Sequence, residues 1–315
     1  MKTLLALALA AAATWTATAG PLDHGRVAAD ARWVVHLDVE ALLRTTLGQT
    51  IAREALGPKL EEPTAALKQQ FGFDFDWRRI RSVTLYGSAF GAPDKLDGVM
   101  LVDTDMDVAG GMEAALAKLA AAGHSSPRQL ERLEDRPAPL YRLMGEVFVT
   151  PDPGKPVIVG KVREATLKAR QVLSGGAPNL NKASGFGAFC QPGDGFFFVA
   201  AAQGFSDAAP FPPQAQVLKM ADGFRLQLGE VATDVRANLA LSARTAESAQ
   251  QVQQIVQGLL ALAMLTQADN QDLQTLLQGT RVTRSERIVT LNLTLPSSML
   301  SQKFVEEQLR KHGAD

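Results

Sequence analysis

The chain has 315 residues, 46% hydrophobic and 21% charged, which suits a globular protein with one large core or two domains of about 150 residues each. Thirty-two basic and 33 acidic side chains leave a net charge of −1, so no strong field draws the chain to nucleic acid or to an anionic membrane. Aromatic residues make up only 6%, too few for extensive stacking platforms for sugars or bases.

The N-terminus has the order of a secretory signal: Met1-Lys2, an apolar run from Leu4 to Ala13, then the small residues Ala17-Thr18-Ala19. The run is too short to span a bilayer. Cleavage is expected between Ala19 and Gly20, so residues 1–19 are set aside from the fold and the mature chain is expected in a periplasm or outside the cell. The single cysteine, Cys190, cannot form an internal disulfide, and its apolar surroundings (G-F-G-A-F-C-Q-P) predict a buried, unreactive thiol.

Gly20 to Asp30 reads as a flexible lead-in. Trp33 to Leu37 is an apolar strand, and Asp38-Val39-Glu40 opens a helix to about Leu56, its acids suiting the positive helix N-terminus. Gly57-Pro58 is expected to break it before a second helix over Pro63 to Phe71. Ile80 to Ser88 alternates like a half-buried strand, and Gly98 to Val102 returns as another. A helix is expected from Val108 to Ala122, then short strands at 129–134, 139–144 and 146–150. Pro151-Asp152-Pro153-Gly154 has strong turn chemistry, and the domain boundary is placed there: a first half at 20–152, a second at 153–315.

In the second half, Val157 to Val159 is a strand and Val162 to Leu173 an amphipathic helix closed by Gly175-Gly176. Ala177 to Gly195 reads as irregular. Phe196 to Ala202 suits a central strand. Segments 216–221, 224–228 and 233–242 follow as antiparallel strands, with Asp222-Gly223 as a two-residue hairpin turn. A long uncharged helix spans Ala246 to Ala268, then a short helix from Asn270 to Leu277. Strands at 281–284 and 287–295 precede a last charged helix capped by Ser297 or Ser298.

An apolar strand stepping into an Ala- and Leu-rich helix recurs near residues 34, 99, 157 and 239. Two copies fall on each side of the Pro-Gly turn, with further strands between. The fold class expected is therefore α+β: two ferredoxin-like (β-α-β-β-α-β) halves with antiparallel sheets, helices on one face of each, the second half decorated by an extra hairpin.

Few residues carry recognisable chemistry. Asp103-x-Asp105-x-Asp107 starts like a calcium loop, but Val108 stands where that loop needs Gly and Ala114 where it needs Glu. Asp74 and Asp76 would share one face of an extended segment, a placement compatible with acid/base work, although turn acids held by backbone amides are commoner. Of the four histidines, only His36 lies in a strand. No zinc-hydrolase spacing, nucleophile elbow, dinucleotide fingerprint or Walker A motif is present, so no cofactor and no metal are expected. Any catalytic site would have to assemble from dispersed residues, with Asp74, Asp76, Asp103, Asp105 and His36 as first candidates.

The uncharged helix is apolar on every side from Leu259 to Leu265, while Gln250, Gln253 or Gln254, and Gln257 form a polar face at its start. The six Gln residues of the stretch argue against a membrane span. Its apolar end is expected to be covered by other parts of the chain. The remaining options are a partner surface made of Leu259, Leu260, Leu262, Met264 and Leu265, or contact with lipid.

The opening R-W-V-V-H-L-D-V-E-A-L-L-R-T-T-L-G-Q, together with A-x-S-A-x-x-V-x-x-x-V-x-G-L-L-A-L and a late strand ending L-T-L-P, resembles uncharacterised secreted proteins of planctomycete and verrucomicrobium-type bacteria. The resemblance implies an exported, duplicated α+β protein and brings no catalytic residues. Three functions follow as expectations. The first is non-catalytic binding or assembly in the cell envelope, with an unidentified protein as partner. The second is a hydrolase with a dispersed Asp/His site. The third is a peripheral envelope protein using helix 246–268 on a partner or lipid.

Overall fold

The structure is a computed structural model, and it describes residues 20–90, 97–121, 130–133, 138–182, 185–205, 220–266 and 271–302. The expected signal segment 1–19 and most of the last charged helix lie outside the described residues.

Strand β1 (Trp33–Asp38) buries every second side chain, as one face of a sheet requires. Asp38 ends it and caps α1 (Val39–Leu43), its carboxylate accepting from the Ala41 amide at 2.8 Å. Thr45 caps α2 (Thr46–Ile51) by accepting from the Gly48 amide at 2.9 Å. The expected break at Gly57-Pro58 does not occur. A π turn at Ala52–Leu56 joins α2 to α3 (Gly57–Phe71), and the Gly57 amide reaches back to the Ala52 carbonyl. Pro58 lacks an N–H and its ring crowds the carbonyl four residues back; one widened turn relieves both without ending the helix.

The chain continues through β2 (Ile80–Gly87), β3 (Val99–Thr104), α4 (Val108–Ala121), β4 (Leu130–Leu133), β5 (Leu140–Leu143), β6 (Val147–Thr150) and β7 (Val157–Gly160). Then follow α5 (Arg163–Leu173), α6 (Phe186–Cys190), β8 (Phe196–Gln203), β9 (Ala221–Val231) and β10 (Asp234–Ala243). The last elements are α7 (Ala246–Thr266), α8 (Gln271–Gln278), β11 (Thr280–Ser285) and β12 (Ile288–Pro296).

The fold is α+β, with one large antiparallel sheet and several helices. Its twelve described strands run β11-β12-β10-β9-β8-β1-β2-β3-β7-β6-β5-β4, and all their pairings are antiparallel. This differs from two ferredoxin-like halves with separate sheets. Strands β1, β2 and β3 are sequential neighbours, and β1 of the first half pairs with β8 of the second. The Pro151–Gly154 turn is the loop of a hairpin: Thr150 faces Ile158 across it, and β7 inserts between β3 and β6. The expected boundary thus falls inside a paired element.

Two further details depart from expectation. Asp222-Gly223 lies within β9 rather than at a turn; Ser242 faces Gly223 and Ala243 faces Ala221, so Asp222 is the extra residue of a bulge. The hairpin turn comes later, at Ala232-Thr233, with Ala232 at φ 57°. Within the stretch read as irregular, Phe186–Cys190 forms a helical turn.

Helices cover both faces of the sheet. On one face Val34, Leu101, Ile158, Val199 and Ala201 pack against α5 through Ala169 and Val172, and against Phe186 and Cys190 of α6. The supposed lead-in completes this core: Leu22, Val27, Ala28 and Ala31 are all buried. Backbone bonds hold the segment down, from Leu180 N to the Val27 carbonyl at 2.8 Å and from Ala29 N to the Pro178 carbonyl at 3.1 Å. Its apolar residues are too sparse to display a period. On the other face, α4 covers Val102, Tyr141, Val149 and Val157, and α7 covers Ala202, Leu241 and Val289.

Candidate functional site

Helix α7 begins where the Thr245 hydroxyl accepts from the Ser248 amide at 3.1 Å. Its inward line is Ala249, Val252, Val256, Leu260 and Ala263, spaced by three and four residues. Ala249 and Val252 are fully buried against Leu241 and Val289. Arg284 of β11 donates to the Gln253 side chain at 3.3 Å. Towards the C-terminus the contact thins, and Leu260 and Ala263 are only half-buried.

The outward side changes character along the helix. Gln250, Gln254 and Gln257 are exposed, as expected for the polar face. Beyond them Leu259 and Leu262 are each 56% exposed, Met264 40% and Leu265 79%. The expectation that the apolar end is covered by the chain is therefore corrected. An all-round apolar helix buries itself only where another element reaches it, and among the described residues none encloses this end.

The exposed side chains do not form a single stripe. At about 100° per residue, Leu259, Met264 and Leu265 leave the axis in three directions, roughly 100–140° apart. The backbone at this end is well supplied with side-chain donors. The Gln274 amide of α8 donates to the Met264 carbonyl at 3.1 Å, and the Thr266 hydroxyl donates to the Leu262 carbonyl at 2.9 Å. Met264 is among the last carbonyls of the helix, which have no partner within it.

The polar candidates are each engaged structurally, and of them Asp103 and Asp105 share a cavity. Asp74 is an exposed acid paired with Lys68 at 3.0 Å. Asp76 accepts from the Arg78 amide at 3.0 Å, capping the 3-10 turn Trp77–Arg79. Asp103 pairs with Arg26, and Asp105 accepts from Arg79 at 2.7 Å. Asp107 accepts from the Gly110 amide at 2.8 Å, near the start of α4. Asp103, Asp105, Asp107 and Asp152 line a cavity of about 440 Å³. Asp152 pairs with Arg170 at 3.3 Å, so each of the four already has a partner of its own. Among the described residues no group of three or more His, Cys, Asp or Glu side chains is arranged so that it could hold a metal ion.

His36 is 4% exposed and its Nδ1 lies 2.8 Å from the Thr84 hydroxyl. Burial pushes its pKa down to about 4; the Gly20 backbone and the Asp103 charge oppose that shift, and Arg26 adds to it. It is a neutral core histidine, related to Asp103 only through their mutual field. Cys190 is fully buried, and burial pushes its pKa up to about 12. The fold does bring a histidine to it, His24 Nε2 at 3.4 Å. Burial lowers the pKa of that histidine as well, although the Asp23 charge opposes this. A thiol pushed up beside an imidazole pushed down favours the neutral pair over thiolate–imidazolium, the reverse of an activated nucleophile.

A second cavity of about 600 Å³ is lined by Pro21, Asp38, Arg44, Asp194, Phe197 and Glu230 among others. Its acids were not among the sequence candidates. Glu230 accepts from the Thr46 and Leu47 amides at 3.0 and 3.1 Å, a carboxylate on the N-terminus of α2 supplied from β9. No sequence signal links residues 184 positions apart. Asp38 is 7% exposed, and burial raises its pKa against the pull of the Ala41 amide. Its capping role was legible from the acid at the strand-to-helix step.

No protein-family model matches the sequence, and no curated protein matches it. Among solved structures, the chain is similar to TP0453 in several crystal forms. Crystal form I is 12% identical with a TM-score of 0.45, over 93% of this chain and 99% of that one. Crystal form III is 11% identical with a TM-score of 0.47, over 92% and 100%. Crystal form IV is 10% identical with a TM-score of 0.46, over 93% and 99%. At this level the likeness carries no argument for function. No helix among the described residues is long and apolar enough to cross a membrane.

Proposed function

We propose that the chain is an exported, non-catalytic protein of the cell envelope that attaches peripherally to lipid through the distal end of α7. The observation that carries the reading is the exposure of Leu259, Met264 and Leu265 in three directions from one helix end. A groove on a protein takes one stripe of an amphipathic helix. A fluid acyl phase accommodates apolar side chains on every side. Residues 259–266 extend about 12 Å, which fits within one leaflet of roughly 15 Å. No charge lies between Glu247 and Asp269, so no charged side chain in the distal half of the helix opposes entry. The bonds to the Met264 and Leu262 carbonyls reduce the polar backbone carried in.

The hydrolase reading has no comparable support, because the acids are individually paired and His36 is a core residue. Attachment is tested with Cys190→Ala chains carrying one environment-sensitive dye at Leu259→Cys, Met264→Cys or Leu265→Cys. Neutral phosphatidylcholine vesicles are expected to shift all three dyes to the blue and leave one at Gln254→Cys unchanged. A shift at one position alone, or at none, contradicts lipid insertion.

A further inference from the structure

The segment that follows the expected cleavage point is part of the core. Leu22 is 4% exposed beneath it, and the Gly20 backbone lies beside the His36 ring. Gly20 is half-buried, and Pro21 walls the same 600 Å³ cavity as Asp38. His36 and Asp38 are two apart on β1 and so project from the same face of the sheet.

Asp38 is a buried carboxylate that makes no ion pair, although the Arg44 charge acts on it across the cavity. One oxygen accepts from the Ala41 amide at 2.8 Å. Among the described residues no Lys, Arg or His lies within ion-pair distance of it; Arg44 lines the same cavity but is engaged by Glu40. Burying an acid without an ion pair is costly, and the cavity leaves room for a cation in contact with it.

We propose that removal of residues 1–19 supplies that counter-charge: the α-ammonium created at Gly20 turns into the cavity and pairs with Asp38, locking residues 20–31 onto the sheet. The step is peptide hydrolysis: water adds across the Ala19–Gly20 bond, leaving a carboxylate on Ala19 and an amine on Gly20 that is protonated at neutral pH. In the unprocessed chain the same nitrogen is an uncharged amide. Processing and completion of the core are thereby coupled. The inference rests on cleavage before Gly20 and is independent of attachment through α7.

Intact-mass measurement of the exported protein comes first and should give a chain beginning at Gly20; any other start overturns the proposal. The chain 20–315 with a free amine is then compared with the same chain N-acetylated. Acetylation is expected to lower the melting temperature at pH 7 by roughly 3–8 °C. The gap should close at about pH 10 and above, where the amine is neutral. In Asp38→Asn, which keeps an N-cap for α1, the free and acetylated chains should melt together. Equal melting of the free and acetylated wild-type chains at pH 7 overturns the pairing even if Asp38→Asn fails to fold. Vesicle attachment should be the same for both chains.

Discussion

His36 gives the fold a built-in sensitivity to acid whose size follows from its surroundings. The ring is 4% exposed, bonded to the Thr84 hydroxyl at 2.8 Å, with Nε2 lacking a partner in hydrogen-bond geometry. Its pKa falls from 6.5 to about 4 on folding. Between those values the unfolded chain binds a proton that the folded chain refuses. Stability from this residue is therefore complete above about pH 6.5 and is lost as pH falls towards 4. A difference of about 2.5 pH units at about 1.4 kcal/mol each sets an upper size of roughly 3 kcal/mol. The burial of Asp38 acts in the opposite sense, since a raised carboxylate pKa makes the folded state hold its proton more tightly. The contribution of His36 is isolated by difference. Urea unfolding of wild type and His36→Gln, at half-unit steps from pH 4.5 to 7.5, should show a steeper slope in wild type by up to that amount. Gln is polar and can still meet Thr84, so its baseline loss should be about 1 kcal/mol and independent of pH. Parallel slopes, or a folded-state titration of His36 near 6.5, would refute the reasoning.

Three further outcomes are expected. Glu230→Ala removes the acceptor of the Thr46 and Leu47 amides and should cost about 1–2 kcal/mol in urea unfolding, with Glu230→Gln recovering part of it; no change would mean water caps α2 equally well. The Cys190 thiol should resist Ellman's reagent in the folded chain and react fully in 6 M guanidinium (about the concentration that unfolds most proteins), because it is buried and pushed up to about 12; rapid labelling without denaturant would contradict this. Gly229→Ala would place a Cβ 2.1 Å from the Gly195 carbonyl oxygen, forcing the β8–β9 backbones apart at a cost of at least about 2 kcal/mol by calorimetry or urea; a loss below about 0.5 kcal/mol would show that the strands give way freely.

The elements were more legible than their arrangement. The strand-to-helix steps near residues 34, 99, 157 and 239 are all present, because an apolar run followed by a polar step is a local signal. Three of them carry an acidic or hydroxyl cap, Asp38, Asp107 and Thr245, while the helix after Val157 has Val162 at its cap position and no side-chain cap. Periodicity tells which face a strand buries but not which neighbour it pairs with, so β1 next to β8 in one continuous sheet could not be read from Trp33 or Phe196. The turn chemistry at Pro151–Gly154 is equally suited to a linker and to the hairpin it forms. At the N-terminus, Leu22, Val27, Ala28 and Ala31 carry no period, and their burial depends on Pro178 and Leu180 far along the chain.

The candidate site was legible as chemistry and misread as placement. Leu259 to Leu265 is apolar on all sides in the sequence, and the usual inference from such a helix is burial. The structure leaves Leu262 and Leu265 exposed because the packing line of α7 ends at the half-buried pair Leu260 and Ala263. The acids were legible as residues, but their use was not: Asp103 and Asp105 are held by Arg26 and Arg79, contacts set by the tertiary fold.

Flotation of the chain 20–315 on neutral phosphatidylcholine vesicles tests the central claim most directly. Three leucines, each worth about 1.5–3 kcal/mol if fully transferred and here partly exposed, should together provide roughly 3–5 kcal/mol, or a partition coefficient changed by about 10²–10⁴. The wild-type chain should float, equally at 0.05 and 0.5 M salt (roughly a threefold range of Debye length), because the helix end carries no charge. The Leu259→Gln/Leu262→Gln/Leu265→Gln chain should remain at the bottom of the gradient with its melting temperature unchanged. Wild type remaining at the bottom, or a triple variant that floats as well as wild type, would contradict attachment through α7.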